Sequence, residues 1–460
     1  MRFQPDRRRL PAIVPVALAF ALAAAGAGSA SGQTITQASP ESLIYDLKNP
    51  DAPRRLAAAR DLGIAKYQPA IPALLPLAED ADASVRRHVE IALEEMGDIR
   101  VLPGLVRFTA DSEPAIRDRA IQALVNLHLP RATGPAAALV KLGNLINPWA
   151  DEYSDAVVEP DVPVDPSVVT ALQARMSDAE DRIRRHTSRG LGIVHADAAV
   201  PELIVAVEKD RDPEVRFEAV RALRKIGDAS IGDRLLPILD LTVDRVRNEI
   251  ITTLGSLKYR GAVAELTRVF EQAKPGERPR TLALSALADI GDPVSRPVFL
   301  SAKDDKDVNI RLYATEGLAR LADPSLGTMM SADRLVEKNP RVQAAQAFGL
   351  LRMEREEYLD ELVRALEKPT TRDLAREFLI ETAPAQRPAL FAKQPKSATV
   401  RAELADVFGL MADPSALPAL KELQRDSDSD VARNAERAVR RITAATQAAV
   451  ESDSRGVTRR

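Results

Sequence analysis

The stretch DASVRRHVEIALEEMGD, residues 82–98, predicts one amphipathic helix with a signal at each end. Asp82 is a residue type that accepts hydrogen bonds from the first backbone amides of a helix. Gly97 can adopt the left-handed conformation that ends a helix. The apolar residues between them recur every three or four positions and so share one face, namely Val85, Val89, Ala92, Leu93 and Met96. A second apolar segment, residues 101–108, follows at once, so the unit is predicted to be a helix pair.

This unit recurs along nearly the whole chain. We take the position of Val85 as a register mark, and most steps between marks are 31 to 33 residues. Two steps are irregular: 26 residues between Leu374 and Val400, and 67 residues, about two periods, between Ile116 and Ile183. A fixed period of this length indicates stacked repeats, each burying its apolar face on its neighbours. The sequence therefore predicts an all-α fold, an α-solenoid of about 12 helix pairs in which a pair contacts only adjacent pairs.

The unit resembles the HEAT-like repeats of the phycobilisome-lyase type, whose first helix carries Asp, Val-Arg, Ala, Ala-Leu and Gly-Asp at fixed offsets. The clearest copies are DPEVRFEAVRALRKIGD at residues 212–228 and DKDVNIRLYATEGLARLAD at residues 305–323. The resemblance covers about residues 53–442 and implies a fold rather than one activity. The related deoxyhypusine hydroxylases bind iron through His-Glu pairs, and no His-Glu dipeptide occurs in this sequence.

The two ends of the chain differ from the repeats. Residues 1–32 predict a signal peptide, because arginines at 7–9 precede an apolar run and small residues. We therefore expect a periplasmic or secreted protein with no integral membrane span after cleavage, an uncleaved anchor being the alternative. Residues 33–52 predict a lead-in with an N-terminal capping helix, and residues 443–460 predict a disordered tail.

Residues 147–166, NPWADEYSDAVVEPDVPVDP, interrupt the repeats where a first helix is expected and separate residues 53–146 from residues 167–442. The segment is acidic and Pro-rich and contains no Lys or Arg. Long irregular segments are often functional or disordered. One interpretation is a decayed repeat whose tryptophan fills the gap between neighbouring units; the others are disorder and a loop that binds a cation or a partner. A calcium loop fits poorly, because no glycine turn is present. The candidate partner-binding residues are Trp149, Asp151, Glu152, Tyr153 and Asp155.

An arginine follows the register mark in most copies. We expect each one to pair with an acidic residue of the adjacent repeat and so to join neighbours; the alternative is a ladder that binds an acidic partner. Partly buried pairs of this kind are costly to break on one side only. This structural arginine ladder consists of Arg55, Arg86, Arg117, Arg184, Arg216, Arg247, Arg280, Arg311 and Arg401.

The sequence offers no catalytic constellation, and we predict no catalytic residue, metal ligand or cofactor. Cysteine is absent, and the four histidines occupy matching repeat positions. A formal net charge of −3 argues against nucleic acid as a partner. We expect a non-catalytic exported scaffold that binds a protein or peptide along the solenoid surface, on an inner row of second helices. A repeat-based enzyme related to the lyase and hydroxylase families, or a cell-envelope adaptor, is the alternative.

Overall fold

The computed structural model describes residues 39–129 and 156–457. These residues form 24 α-helices, short 3-10 turns and loops, without a strand. The predicted all-α solenoid is therefore confirmed. The predicted signal peptide, residues 1–32, lies outside the described residues. Among the helices described, none combines the length and the apolar character needed to span a bilayer.

The described residues divide into two compact units, with the boundary between residues 95 and 96. In the first unit a short helix precedes the repeats, and Ser39 accepts a hydrogen bond from the backbone N–H of Ser42 at its start. Proline stands in the first turn of three of these helices, where its missing N–H leaves no bond unmade. The helices are α1 (Pro40–Asp46), α2 (Ala52–Ile64), α3 (Ile71–Leu74) and α4 (Ala83–Met96), whose last residue belongs to the second unit.

The second unit continues the alternation of long first helices and shorter second helices. Its first helices are α6 (Pro114–Asn126), α8 (Asp181–Ile193), α10 (Pro213–Ile226), α12 (Asp244–Ser256), α14 (Arg278–Ile290), α16 (Val308–Leu321), α18 (Pro340–Arg352), α20 (Arg372–Ile380), α22 (Ala398–Met411) and α24 (Ser429–Val457). Its second helices are α5 (Leu102–Phe108), α7 (Pro166–Gln173), α9 (Val200–Lys209), α11 (Gly232–Leu235), α13 (Val263–Gln272), α15 (Arg296–Ala302), α17 (Gly327–Val336), α19 (Leu359–Ala365), α21 (Arg387–Phe391) and α23 (Leu417–Leu423). With α2 and α4, the described residues contain twelve first helices.

The end of α24 differs from the prediction. Residues 443–457 are helical, whereas the sequence analysis predicts a disordered tail. The segment is rich in alanine, which has the highest helix propensity, and it contains no proline. The apolar pattern weakens after Ile442, but local propensity is sufficient to continue the helix.

Successive first helices of the second unit approach each other closely at one repeated point. A Cβ atom on Gly192 would lie 2.6 Å from the Cα of Ala222, and one on Gly255 would lie 2.6 Å from the Cα of Ala286. Small residues seven and nine positions after the register mark therefore set the distance between these helices. The second helices pack mainly on the first helix that follows them. In this unit successive first helices therefore lie closer together than successive second helices, and we call the row of first helices the inner row. The expectation that a partner binds along a row of second helices stays a prediction.

The repeat before the interruption packs directly on the repeat after it. A Cβ atom on Gly190 of α8 would lie 2.9 Å from Cγ2 of Val125 in α6. Helix α7 packs against α5 and α8, which is the place of a second helix. The insertion therefore lies between the first and second helices of one repeat and does not replace a first helix. The register step of 67 residues is one repeat with an insertion, not two periods.

Two sets of ion pairs in the second unit extend beyond adjacent repeats, contrary to the expectation from the sequence. Arg320 of α16 pairs with Glu377 and Glu381, which belong to the next repeat but one. Arg441 of α24 pairs with Glu159, 282 residues earlier. Both arginines stand ten positions after their register marks. These pairs join first helices of repeats that are not adjacent along the chain.

Candidate interaction surface

The five candidate partner-binding residues lie outside the described residues, namely Trp149, Asp151, Glu152, Tyr153 and Asp155. The structure therefore places only the second half of the acidic insertion, from Ala156 onward.

Arg184 shows the contact that most ladder arginines make. Its Nε and Nη2 atoms donate to the carboxylate of Asp210 at 2.7 and 2.9 Å. Its Nη1 atom donates to the backbone carbonyl of Asp178 at 2.9 Å. Asp210 lies in the turn before α10, so the guanidinium joins the first helix of one repeat to the start of the next. The same arrangement is formed by Arg55 with Asp80, Arg117 with Asp178, Arg311 with Glu337 and Arg401 with Asp426.

For Arg55, Arg184 and Arg401 the acidic partner is the first residue of an Asp-x-Asp pair whose two members have different roles. Asp210 also accepts the backbone N–H of Asp212 at 2.9 Å. Asp212 in turn accepts the N–H groups of Glu214 and Val215 and caps α10. Burial alone would raise the pKa of Asp210, but the hydrogen bonds from Arg184 and Asp212 hold that pKa below its usual value. The caps are predictable from the sequence, whereas the carboxylates that bind the ladder arginines, two residues before the caps, were not predicted individually, although the Asp-x-Asp spacing is visible.

The other ladder arginines also have intramolecular partners. Arg216 donates from Nε to the carbonyl of Val207 at 2.8 Å. Arg280 donates to the carbonyl of Phe270 and lies over its ring. The remaining contacts are from Arg86 to the carbonyl of Asp80 at 3.0 Å and from Arg247 to Asp240 at 3.0 Å. The ladder is therefore bound within the stack, and the candidate surface lies elsewhere.

That surface is where residues 156–162 cross the inner ends of the first helices in the second unit. We call this segment the strap. Lys225 of α10 donates from Nζ to the carbonyl of Ala156 at 2.9 Å. The N–H of Val158 donates to the carbonyl of Ile193 at 2.8 Å. Because Ile193 is the last residue of α8, its carbonyl has no partner within that helix. The strap therefore satisfies a polar group that the helix leaves unpaired.

The far end of the strap is held by carboxylates. Glu159 receives two hydrogen bonds from Arg441, at 2.5 Å from Nε and 2.6 Å from Nη2. Asp161 receives one from Nε of Arg440 at 3.0 Å. A turn, in which the N–H of Val162 donates to the carbonyl of Glu159 at 2.9 Å, presents both carboxylates to α24. The hydrogen bonds that Arg441 donates to Glu159 are the main cause that raises the pKa of Arg441.

The exposure of these pairs indicates how firmly the strap is held. The side chains of Arg441 and Glu159 are 18% and 22% exposed, whereas that of Arg440 is 51% exposed. A partly exposed ion pair contributes about 0–1 kcal/mol to stability, and a bidentate pair such as that of Arg441 and Glu159 contributes near the upper end of this range. Val158 is the buried apolar anchor, at 6% exposure. Few contacts of moderate strength therefore hold the strap, in contrast to the ladder pair of Arg184 and Asp210, whose side chains are each 8% exposed.

A second charged cluster on the inner side is buried and links three first helices. The side chain of Arg320 is only 5% exposed and lies 2.8 Å from Glu377, 2.9 Å from Glu381 and 3.7 Å from Asp289. Burial alone would lower the pKa of Arg320 and raise that of Glu381, but their mutual attraction reverses both directions. We interpret this cluster as structural, because its groups satisfy one another away from solvent.

A cleft of about 430 Å³ in the second unit is a further surface feature. Lys303, Asp305 and Met330 are among its lining residues, and the pair of Arg311 and Glu337 forms part of its wall. Beside it, Leu335 at the end of α17 is 87% exposed. The cleft combines both charges with apolar atoms and has no single chemical character.

The described histidines each have a polar partner within the protein. The Nδ1 atoms of His88 and His128 lie 2.8 and 2.9 Å from the carbonyls four residues earlier. His186 pairs with Asp118 at 2.5 Å between α6 and α8. Across residues 39–129 and 156–457, no three or more His, Asp and Glu side chains are grouped as metal ligands would be.

Two regions of the chain match a known family of repeats. The family model for HEAT repeats matches residues 40–125 and 169–255. No curated protein is significantly similar in sequence to the chain. The solved structure of an engineered protein is similar at 18% identity, covering 88% of this chain and 98% of that one, with a TM-score of 0.40.

Two natural proteins are also similar in structure. Importin beta is 12% identical, with 88% of this chain and 64% of that chain covered and a TM-score of 0.42. Human deoxyhypusine hydroxylase is 16% identical, with 77% and 98% covered and a TM-score of 0.26. TM-scores of this size carry no information about function.

The family match lies on helix pairs of both units, and the same pairs continue through the rest of the described chain. The chain is therefore a HEAT-like repeat protein.

Proposed function

We propose that this chain is an exported, non-catalytic scaffold that binds a protein or a peptide along the surface of its repeats. The observation that carries the proposal is the strap itself. An irregular peptide segment already lies on the inner ends of the first helices, held by side chains and by a helix carbonyl. A surface that binds one peptide segment has the chemical groups to bind another.

The stacked construction supports the same role. Each repeat depends on its neighbours for burial, so residues on the inner and outer rows can vary without disturbing the fold. Exposed apolar side chains such as Leu335 and Val205 lie on second helices of the second unit. The export part of the proposal is supported by the leader at residues 1–32.

Photo-crosslinking in the native cells tests the scaffold role. A photoreactive amino acid is placed in turn at Arg440 beside the strap, at Val205 on α9 and at Leu335 on α17, all at least half exposed. A covalent adduct with another protein from any of these positions supports the proposal. The absence of protein adducts from all three contradicts it.

The location requires its own measurement. Cell fractionation with N-terminal sequencing should find the mature chain outside the cytoplasm, beginning near residue 33. A full-length chain in the cytoplasm contradicts export but leaves the binding role in place.

A further inference from the structure

The repeats on either side of the insertion stack directly on each other, without the strap between them. Helix α6 packs directly on α8, and α7 takes the usual place of a second helix, so the repeats would join without an insertion. The other repeats connect their two helices with a few residues, for example Gly227 to Ile231 between α10 and α11. The chain therefore carries extra residues whose described part ends on a surface formed by distant helices.

The contacts of the strap are those that a separate acidic peptide would also make. Lys225 and Ile193 bind the main chain of the strap, which any peptide possesses. Arg440 and Arg441 bind carboxylates two positions apart. One small apolar side chain, Val158, is buried one position before the first carboxylate. The surface thus fits a peptide segment without regular secondary structure, in which an apolar residue is followed by an acidic residue and, two positions later, by a second acidic residue.

The strap is also held weakly enough to exchange. Three of the four side chains in its two ion pairs are about one-fifth exposed and the fourth is half exposed, so water and salt reach both pairs. By contrast, the ladder pair of Arg184 and Asp210 is 8% exposed on each side. A tethered segment competes with free ligands through its high effective concentration and leaves its site transiently when its contacts are few.

We propose that the strap is an internal ligand, and that Ile193, Lys225, Arg440 and Arg441 form a site for an acidic, irregular peptide segment of another protein. This inference rests on the proposed scaffold function and specifies its partner. The partner displaces the strap, so the chain's own acidic segment limits access to the site. Acidic partners of low affinity are thereby excluded.

The test uses the full chain and a fluorescein-labelled peptide with the sequence AVVEPDVPVD of residues 156–165, measured by fluorescence anisotropy. The variant E159Q/D161N weakens the strap and leaves the site intact. If the strap fills its site nine-tenths of the time, this variant should bind the peptide about tenfold more tightly than the wild type. Adding R440Q/R441Q to it should abolish that gain.

Two controls match these changes. Arg433→Gln removes a charge from the same helix, where Arg433 is 71% exposed and pairs with Asp430 of α24, and peptide binding should not change. A peptide with Gln and Asn in place of its Glu and Asp should bind at least about tenfold more weakly, because it lacks both charged contacts. Circular dichroism and melting curves verify that each variant is folded.

The inference is overturned if folded E159Q/D161N binds the peptide no more tightly than the wild type, or if the neutral peptide binds equally well. Light scattering tests whether a second copy of the chain occupies the site. If the wild type is a dimer that the peptide dissociates, the partner is another copy and the inference is also overturned. Suppose that peptide binding fails but the R440Q/R441Q variant still forms protein adducts from Val205 or Leu335. The scaffold function then stands, and only the acidic-peptide site is refuted.

Discussion

Arg184→Ala is the substitution that best tests how the repeats are joined. Arg184 and Asp210 are each 8% exposed, and two hydrogen bonds of 2.7 and 2.9 Å connect them. The substitution leaves the buried Asp210 carboxylate without its cation, and the carbonyls of Asp178 and Ala179 lose their donor. The first helix of this repeat thereby loses its polar link to the start of the next.

Breaking a buried ion pair on one side lowers the free energy of unfolding by about 3–5 kcal/mol. We expect the lower end of this range, because Asp210 keeps the hydrogen bond from the N–H of Asp212. The matched control is Arg216→Ala, which removes a single hydrogen bond to the carbonyl of Val207. One such bond contributes about 1 kcal/mol. The pair Arg184→Met with Asp210→Leu should recover most of the loss, because no unpaired charge remains buried.

The measurement must be local, since arrays of repeats need not unfold in one step. Hydrogen exchange followed by mass spectrometry should show faster exchange in α8 and α10 of the variant, with α22 unchanged. Denaturant unfolding then gives the total loss of free energy of unfolding.

The pH dependence of the free energy of unfolding provides an independent test of this ion pair. In the wild type the pKa of Asp210 lies below its ordinary value of 3.8, so the pair stabilises fully above that value and loses its effect as the pH falls through the lowered pKa. In Arg184→Ala, the buried Asp210 has no cation beside it, so its pKa rises. The carboxyl group is therefore protonated at a higher pH, which removes the cost of burying its charge. The difference in stability between the two proteins should therefore narrow as the pH falls from 7 toward 4. Equal losses for Arg184→Ala and Arg216→Ala, or a difference that does not change with pH, would refute this reasoning.

Three further changes test other parts of the fold by thermal melting. Gly192→Ala places a Cβ atom 2.6 Å from the Cα of Ala222 and should destabilise the protein by about 1–3 kcal/mol through overpacking; an unchanged melting temperature would contradict the close approach of the first helices. Asp212→Ala removes the acceptor for two N–H groups at the start of α10 and should cost about 1 kcal/mol, whereas Asp212→Asn should keep most of the stability. Arg320→Met leaves a group of buried carboxylates without their cation and should cost about 3–5 kcal/mol at pH 7. The pKa of Glu381 is lowered in the wild type and should rise in this variant, so the loss should diminish toward pH 4; a constant loss would show that the cation does not stabilise these carboxylates.

Only part of the candidate surface could be predicted from the sequence. The acidic, Pro-rich composition identified residues 147–166 as exceptional, but the predicted contacts fell on residues 149–155, and the described contacts begin at Ala156. Arg440 and Arg441 carried no signal, since arginines are frequent in the repeat helices of this chain. Their pairing with Asp161 and Glu159 joins residues 279 and 282 positions apart, which no local pattern encodes.

The sequence by itself determined the repeat, the helical character of its two halves and the caps, because these depend on residues three or four positions apart. Asp212 before α10 and Gly227 after it are examples, and both act locally. Only the tertiary structure decided which row of helices is inner, that α6 meets α8 directly, and that the strap reaches α24. These features depend on close approach at Gly192 and its equivalents and on small rotations summed over successive repeats, so they appear only when the whole stack is assembled.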